Sequence, residues 1–259
     1  MISRGSIGGF ICLIIVFFSC EKEYEKHCER QGLPEQICKE LRYENDVFIE
    51  SVTYEYGNND LVSLKLHENN KGTNIGQVIY TYDDQNKVLN EIYKNSEKKI
   101  IISNTWTYDD QQQVKSLISD VYGVKQESHF TYGDKFIQQE KIYISEVLKF
   151  NRVYEYIDND TISYDVLTYD GDSVLLFINQ CRRFDSSTTR IETYDASGEL
   201  SGYCVQLFND QVKLVEIREY DEDGDLLYIE EYNYENGVIN EYKFLSSLKP
   251  NKKTLYLQF

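Results

Sequence analysis

The stretch "REYDEDGDLLYIEEYNYENG" (218–237) decides how the chain is read. A tyrosine stands just ahead of an acidic cluster, and the arrangement returns fourteen residues later, from Tyr220 to Tyr234. "DEDGD" (221–225) is a metal loop, a pair of catalytic carboxylates or a bend. An EF-hand loop counted from Asp221 needs glycine at position six and glutamate at position twelve. Leu226 and Tyr232 stand there instead. The same place is held elsewhere by "DDQN", "DDQQ", "DASG" and "ENG", so the cluster reads as a turn. Asp and Asn cap such turns through their side chains, and Gly supplies positive φ. A weak surface Ca²⁺ site at Asp221, Asp223 and Asp225 is the metal reading that survives, and no cofactor is expected.

Outward from this stretch the chain repeats itself. The aromatic before each turn falls at Tyr56, Tyr82, Tyr108, Tyr132 and Tyr156, in steps of 26, 26, 24 and 24 residues. Later copies, at Tyr169, Tyr194, Phe208, Tyr220 and Tyr234, mostly stand 12 to 14 apart. A unit of 25 is then two strands and two turns. Alternation supports strands: Val52, Tyr54 and Tyr56 oppose Ser51, Thr53 and Glu55, and Val62, Leu64 and Leu66 oppose Ser63, Lys65 and His67. A period of two with apolar and polar sides marks half-buried antiparallel strands. The expected fold class is all-β, an up-and-down meander of about 16 strands, and open sheets seldom exceed about 10 without curling. A curved sheet, partial barrel or sandwich is expected, with a short N-terminal helical cap over "EYEKHCERQG" and "LPEQICKELRYEN", where Pro34 suits a first helical turn.

Residues 1–19 read as a signal peptide, with Arg4 ahead of the apolar run "IGGFICLIIVFF". "FFSCEKEYE" follows, and Ser19–Cys20 resembles the lipobox of bacterial lipoproteins. The resemblance implies that Cys20 becomes the first mature residue and is lipidated, and several acyl chains anchor stably at about 0.8 kcal/mol per buried methylene. "EKEYE" (21–25) resembles the acidic signal that sends Bacteroidetes-type lipoproteins to the outer face of the outer membrane. The expected organisation is a signal peptide (1–19), an acidic tether with the cap (20–46) and a repeat domain (47–259). An outer-membrane, lipid-anchored protein is expected, at the cell surface rather than facing the periplasm. Cys28, Cys38, Cys181 and Cys204 are disulfide candidates. A Cys28–Cys38 bridge would close a short loop, constraining the unfolded chain by about 3 kcal/mol.

The recurring aromatic-x-Tyr-Asp-x-x-Gly/Asn-x-Leu pattern over 51–245 resembles the YD repeats of Rhs-type proteins and, more loosely, MORN-like repeats. The resemblance implies β-hairpin scaffolds or binding surfaces without catalytic residues of their own.

Chemistry is sparse. The mature chain has three histidines, His27, His67 and His129, and the latter two fall on the polar sides of their strands. No HExxH, GxSxG, phosphate loop or CxxC occurs. Thr161 in "DTI" and Ser173 in "DSV" resemble Bacteroidetes-type O-glycosylation sites. A formal charge of −17 argues against nucleic acid as a partner. The 23 tyrosines suit half-exposed binding faces. The expected function is therefore a non-catalytic envelope lipoprotein whose sheet binds or scaffolds a protein or glycan. The alternative is an immunity- or antitoxin-like lipoprotein that masks a basic toxin.

Overall fold

A computed structural model describes residues 36–258, apart from 58, 134, 135, 158–162, 236, 247 and 248. These residues form strands throughout: β1 (Ile37–Glu44), β2 (Val47–Tyr56), β3 (Val62–Asn69), β4 (Asn74–Tyr82), β5 (Val88–Asn95), β6 (Ile100–Tyr108), β7 (Val114–Val121), β8 (Val124–Tyr132) and β9 (Ile137–Ile144). The second half adds β10 (Val147–Tyr156), β11 (Tyr164–Asp170), β12 (Leu175–Arg183), β13 (Thr188–Asp195), β14 (Leu200–Phe208), β15 (Leu214–Asp221), β16 (Leu226–Glu235), β17 (Val238–Ser246) and β18 (Lys252–Gln258). Each strand pairs antiparallel with the next, and β18 pairs with β1. The sheet is a closed ring of 18 strands.

The structure corrects the expected fold class: the sheet has 18 strands rather than about 16, and it is a full barrel rather than an open sheet, partial barrel or sandwich. Of the segments expected to cap it as helices, "LPEQICKELRYEN" carries strand β1, and "EYEKHCERQG" lies outside the described residues. "ICKELRYE" is rich in helix formers, but Cys38, Glu40 and Arg42 alternate with Lys39, Leu41 and Tyr43. Without β1, β2 and β18 would each leave a row of unpaired backbone groups, and closure removes both edges at once. Tertiary pairing outweighs local helix propensity here.

Register fixes the shape. A path along paired residues starts at Glu40 and steps back two residues on each odd strand from β5 to β17. It re-enters β1 at Glu44. The shear is thus about 18, equal to the strand number. That ratio tilts the strands by about 36°, as in eight-stranded barrels. With strands about 4.8 Å apart, the ring is roughly 35 Å across between backbones.

The same registers sort side chains onto two walls. One wall carries Cys38, Val52, Val78, Ile142 and Cys181, five of the six buried apolar side chains among the described residues, and also buried Glu40, Glu140 and Thr168. It is the inward wall. Most of its other residues are half-buried rather than enclosed, so the described residues form a ring of one sheet rather than a packed two-layer core.

The repeated tyrosine has a mechanical role. Tyr56, Tyr82, Tyr108, Tyr132 and Tyr234 each donate their hydroxyl to a carbonyl at the start of the preceding strand: Ile37, Val62, Val88, Val114 and Leu214, at 2.7–3.0 Å. These latches line one end of the barrel on the inward side. Tyr169, Tyr194 and Tyr220 stand at the other end and on the outward wall. Early copies of the repeat mark one end only and later copies mark both, which explains the change in spacing from 25 to 13.

The acidic corners are turns of one geometry. Asp83, Asp109, Asp170, Asp195 and Asp221, with Asn69, Asn95 and Asn209, each accept the backbone N–H groups two and four residues on through one Oδ1. The residue three places on has positive φ: Gly72, Asn86, Lys98, Gln112, Ser173, Gly198, Val212 and Gly224. This is the three-residue hairpin loop with a left-handed third residue. Glycine fills that position at three corners of eight, and the Asx side chain carries the rest.

Candidate functional site: the inward wall

"DEDGD" is one of these corners. Asp221 Oδ1 accepts from the N–H groups of Asp223 (3.2 Å) and Asp225 (2.8 Å), so the backbone occupies it. No group of three or more His, Cys, Asp or Glu arranged to hold a metal occurs among the described residues. Ser173 is exposed at the β11–β12 corner with φ 67°. Thr161, Cys20, Cys28 and His27 lie outside the described residues, and with them the Cys28–Cys38 pairing and the lipid site. Cys181 and Cys204 both face inward but are not bridged. Ile191 stands between them in register, placing them two strands apart at about 9.6 Å, beyond disulfide reach. Burial, then the nearby Glu219, pushes the Cys204 thiol up to about 11.

The two barrel histidines part company. His129 is outward and meets Glu127 at 3.3 Å. His67 lies on the inward wall, where its Nδ1 is 2.5 Å from Glu50. It does not stand on a solvated face, because the repeat puts Lys65 and His67 in register with Tyr54 and Val52. Its Nε2 is buried with no hydrogen-bond partner, out of reach of solvent.

Around it runs a lattice of tyrosines and carboxylates. The first aromatic of each aromatic-x-Tyr pair points into the lumen, and where it is Tyr a glutamate meets it. Tyr54 donates to Glu40, Tyr80 to Glu91 (2.8 Å), Tyr154 to Glu140 (3.5 Å) and Tyr232 to Glu230 (2.5 Å). Trp106 and Phe130 fill the equivalent places in β6 and β8.

Charge balance differs along the wall. At β1–β5, Arg42 bonds Glu40 (2.8 Å) and Glu50 (3.1 Å), and the Lys65 ammonium lies 5.0 Å and 5.4 Å from the ring centroids of Tyr54 and Tyr80. At β9–β10, Arg152 bonds Glu140 at 3.0 Å. At β15–β17, the charged side chains between the corners on the inward wall are Glu219 and Glu230 alone. They stand among Tyr228, Tyr232, Tyr242 and Phe244, with ring pairs at 5.1 Å and 5.3 Å. Burial, and after it Glu230, raises the Glu219 carboxyl above its ordinary range. Burial followed by Glu230 also pushes Tyr242 up to about 12.

No family model and no curated protein matches the chain. Among solved structures it is similar to a porin-like protein from Bacteroides uniformis at 9% identity, TM-score 0.49, over 88% of this chain and 98% of that one. A porin-like protein from Bacteroides vulgatus matches at 9% identity, TM-score 0.39, over 86% and 98% of the two chains. A TcdB2-TccC3 structure matches at 11% identity, TM-score 0.32, over 84% of this chain and 16% of that one. By its own strand pairing the chain is a closed up-and-down β-barrel.

Proposed function

We propose that this protein is a lipid-anchored barrel of the cell envelope that stands in water and serves as a non-catalytic binding or scaffolding protein. The outward wall is the observation that carries this reading. Lys125, Glu127 and His129 lie on it in β8, and Asp165 and Arg182 pair across β11 and β12. Arg190 and Glu192 follow in β13, Glu216 and Arg218 in β15, and Glu241, Lys243 and Lys253 in β17 and β18. Several stand in mid-strand. An Arg or Lys on a lipid-facing wall costs about 2–4 kcal/mol at the bilayer midplane. A wall charged on this many strands suits water, and the inward wall is charged as well. Membrane attachment then needs an anchor outside the barrel, which the lipobox-like Ser19–Cys20 supplies. The buried Nε2 of His67 supports the non-catalytic part, since a general base must reach a substrate's proton.

The test is metabolic labelling with palmitate and alkaline extraction of membranes from cells making the full chain or Cys20→Ala. The expected outcome is that Cys20→Ala loses the label and appears in the aqueous fraction as a folded β protein. A Cys20→Ala barrel that stays embedded until detergent is added overturns the reading.

A further inference from the structure

The internal repeat allows one stretch of lumen to be compared with another, residue by residue. Tyr54 and Tyr232 hold the same repeat position, two before the latch tyrosines Tyr56 and Tyr234. Across the hairpin Tyr54 faces Lys65, whereas Tyr232 faces Tyr242. Two residues earlier Val52 faces His67, whereas Glu230 faces Phe244. Two earlier again, Glu50 is partnered by Arg42 and Tyr228 by Glu219. Three side chains able to carry positive charge at β1–β3 are thus replaced at β15–β17 by a carboxylate and two rings.

Two carboxylates stand in this cluster as well, at other positions: Glu230 where β2 has Val52, and Glu219 where β1 has Arg42, while Ile217 replaces Glu40 and Tyr228 replaces Glu50. Glu230 accepts from Tyr232, and Glu219 sits one strand away, offset by two residues, about 7–8 Å between such positions. Of the basic residues on the neighbouring inward wall, Lys252, on the Glu230–Phe244 row, is exposed at the start of β18, and Arg42, across Thr254 on the Tyr232–Tyr242 row, is bonded to Glu40 and Glu50. On the β1–β5 side of the wall the molecule supplies its own solution: the Lys65 ammonium over two tyrosine rings whose hydroxyls bond glutamates. Aromatic faces and carboxylates together attract ammonium groups by quadrupole and charge.

We propose that the inward wall of β15–β17 binds a primary alkylammonium group, supplied by a lysine of a basic polypeptide or by a small polyamine. The ligand does for Glu219, Glu230, Tyr232 and Tyr242 what Lys65 does for Tyr54 and Tyr80. The inference rests on the reading of the barrel as a binding protein and gives that reading a ligand chemistry.

The test uses the full chain in detergent at low ionic strength, titrated with cadaverine, with tetralysine and with neutral tetraglycine, and followed by calorimetry. The two amines are expected to bind and tetraglycine is not. Glu219→Gln with Glu230→Gln is expected to weaken binding at least about tenfold, since hydrogen bonds to charged groups contribute about 1.5–3 kcal/mol each. Tyr242→Lys, which places in β17 the cation that β3 already carries, is expected to abolish it. Equal affinities for cadaverine and tetralysine assign a small amine, and binding of tetralysine alone assigns a peptide. Absence of amine binding overturns the proposal. Binding that survives in the glutamine double variant, or in Tyr242→Lys should the double variant fail to fold, places the cation at the acidic corners and overturns it too. Either failure leaves the Cys20-anchored barrel standing, because the labelling and extraction test is independent of amine binding.

Discussion

Val212 occupies the left-handed position of the β14–β15 corner with φ 60°, where a β-branched side chain crowds its own backbone. The equivalent residue in "DEDGD" is Gly224. Val212→Gly is expected to raise the free energy of unfolding by about 1 kcal/mol in urea titrations, the left-handed penalty less glycine's extra entropy. Glu219 and Glu241 bring opposite pH responses. Glu219 is raised, so folding gains from its neutral form at low pH and loses that contribution as pH climbs through the raised value. Glu219→Gln is accordingly expected to raise Tm at pH 7 and to make no difference in acid below the ordinary carboxylate range. Burial works against the charge of Glu241, yet hydrogen bonds from Lys253, Lys243 and Asn233 outweigh it and hold the carboxyl down to about 2. Its contribution is therefore present above the ordinary value of 4.5 and fades as pH falls towards about 2. Unfolding scans between these pH values should flatten in Glu241→Gln, and an unchanged slope would refute the assignment.

At the scale of the element, the hairpin is held by two devices that the repeat places together. One is the Asx side chain that satisfies two corner N–H groups; the other is the tyrosine just before it, whose hydroxyl crosses to the previous strand. Lysine adds a third where it ends the corner. Lys87 and Lys213 lie over Tyr108 and Tyr234 and donate to the carbonyls of Gln112 and Gly237 at the next corner along. Tyr108→Phe removes one neutral hydrogen bond and leaves the Val88 carbonyl to water at the barrel end, an expected cost of about 1 kcal/mol. Asp109→Ala removes two acceptor contacts to corner N–H groups, with an expected cost of about 1–2 kcal/mol. Equal destabilisation by Asp110→Ala, a corner residue without these bonds, would show that the Asx contact is not the cause.

For the whole molecule the controlling fact is closure. β1 carries no copy of the repeat and yet pairs along its length with both β2 and β18. Removing residues 36–46 would leave two unprotected strand edges, which invite pairing between chains. The expected result is a soluble protein that elutes as higher oligomers on size exclusion while retaining its β circular dichroism. A monodisperse monomer would mean that the remaining strands close without β1.

The amino-acid sequence by itself determined the all-β, antiparallel nature of the repeat region and the nature of its corners, because each is written locally, but neither the full number of strands nor β1. Alternation, Asx residues and the tyrosine before each turn act within one hairpin and recur often enough to be read. It also displays an apolar run over 7–18 and the lipobox-like Ser19–Cys20 on which the proposed anchor rests. Closure was decided only in three dimensions, since β1 looks helical until two edges compete for it. The inward wall was decided there as well. Whether Lys65 lies beside Tyr54, or Glu219 beside Tyr228, depends on the register of a hairpin, and which wall those pairs occupy, or that Thr254 lies beside Arg42, depends on closure. The shortage of positive charge on the inward wall of β15–β17 therefore follows from which face turns inward, since Arg218 and Lys243 lie in the same strands on the outward wall.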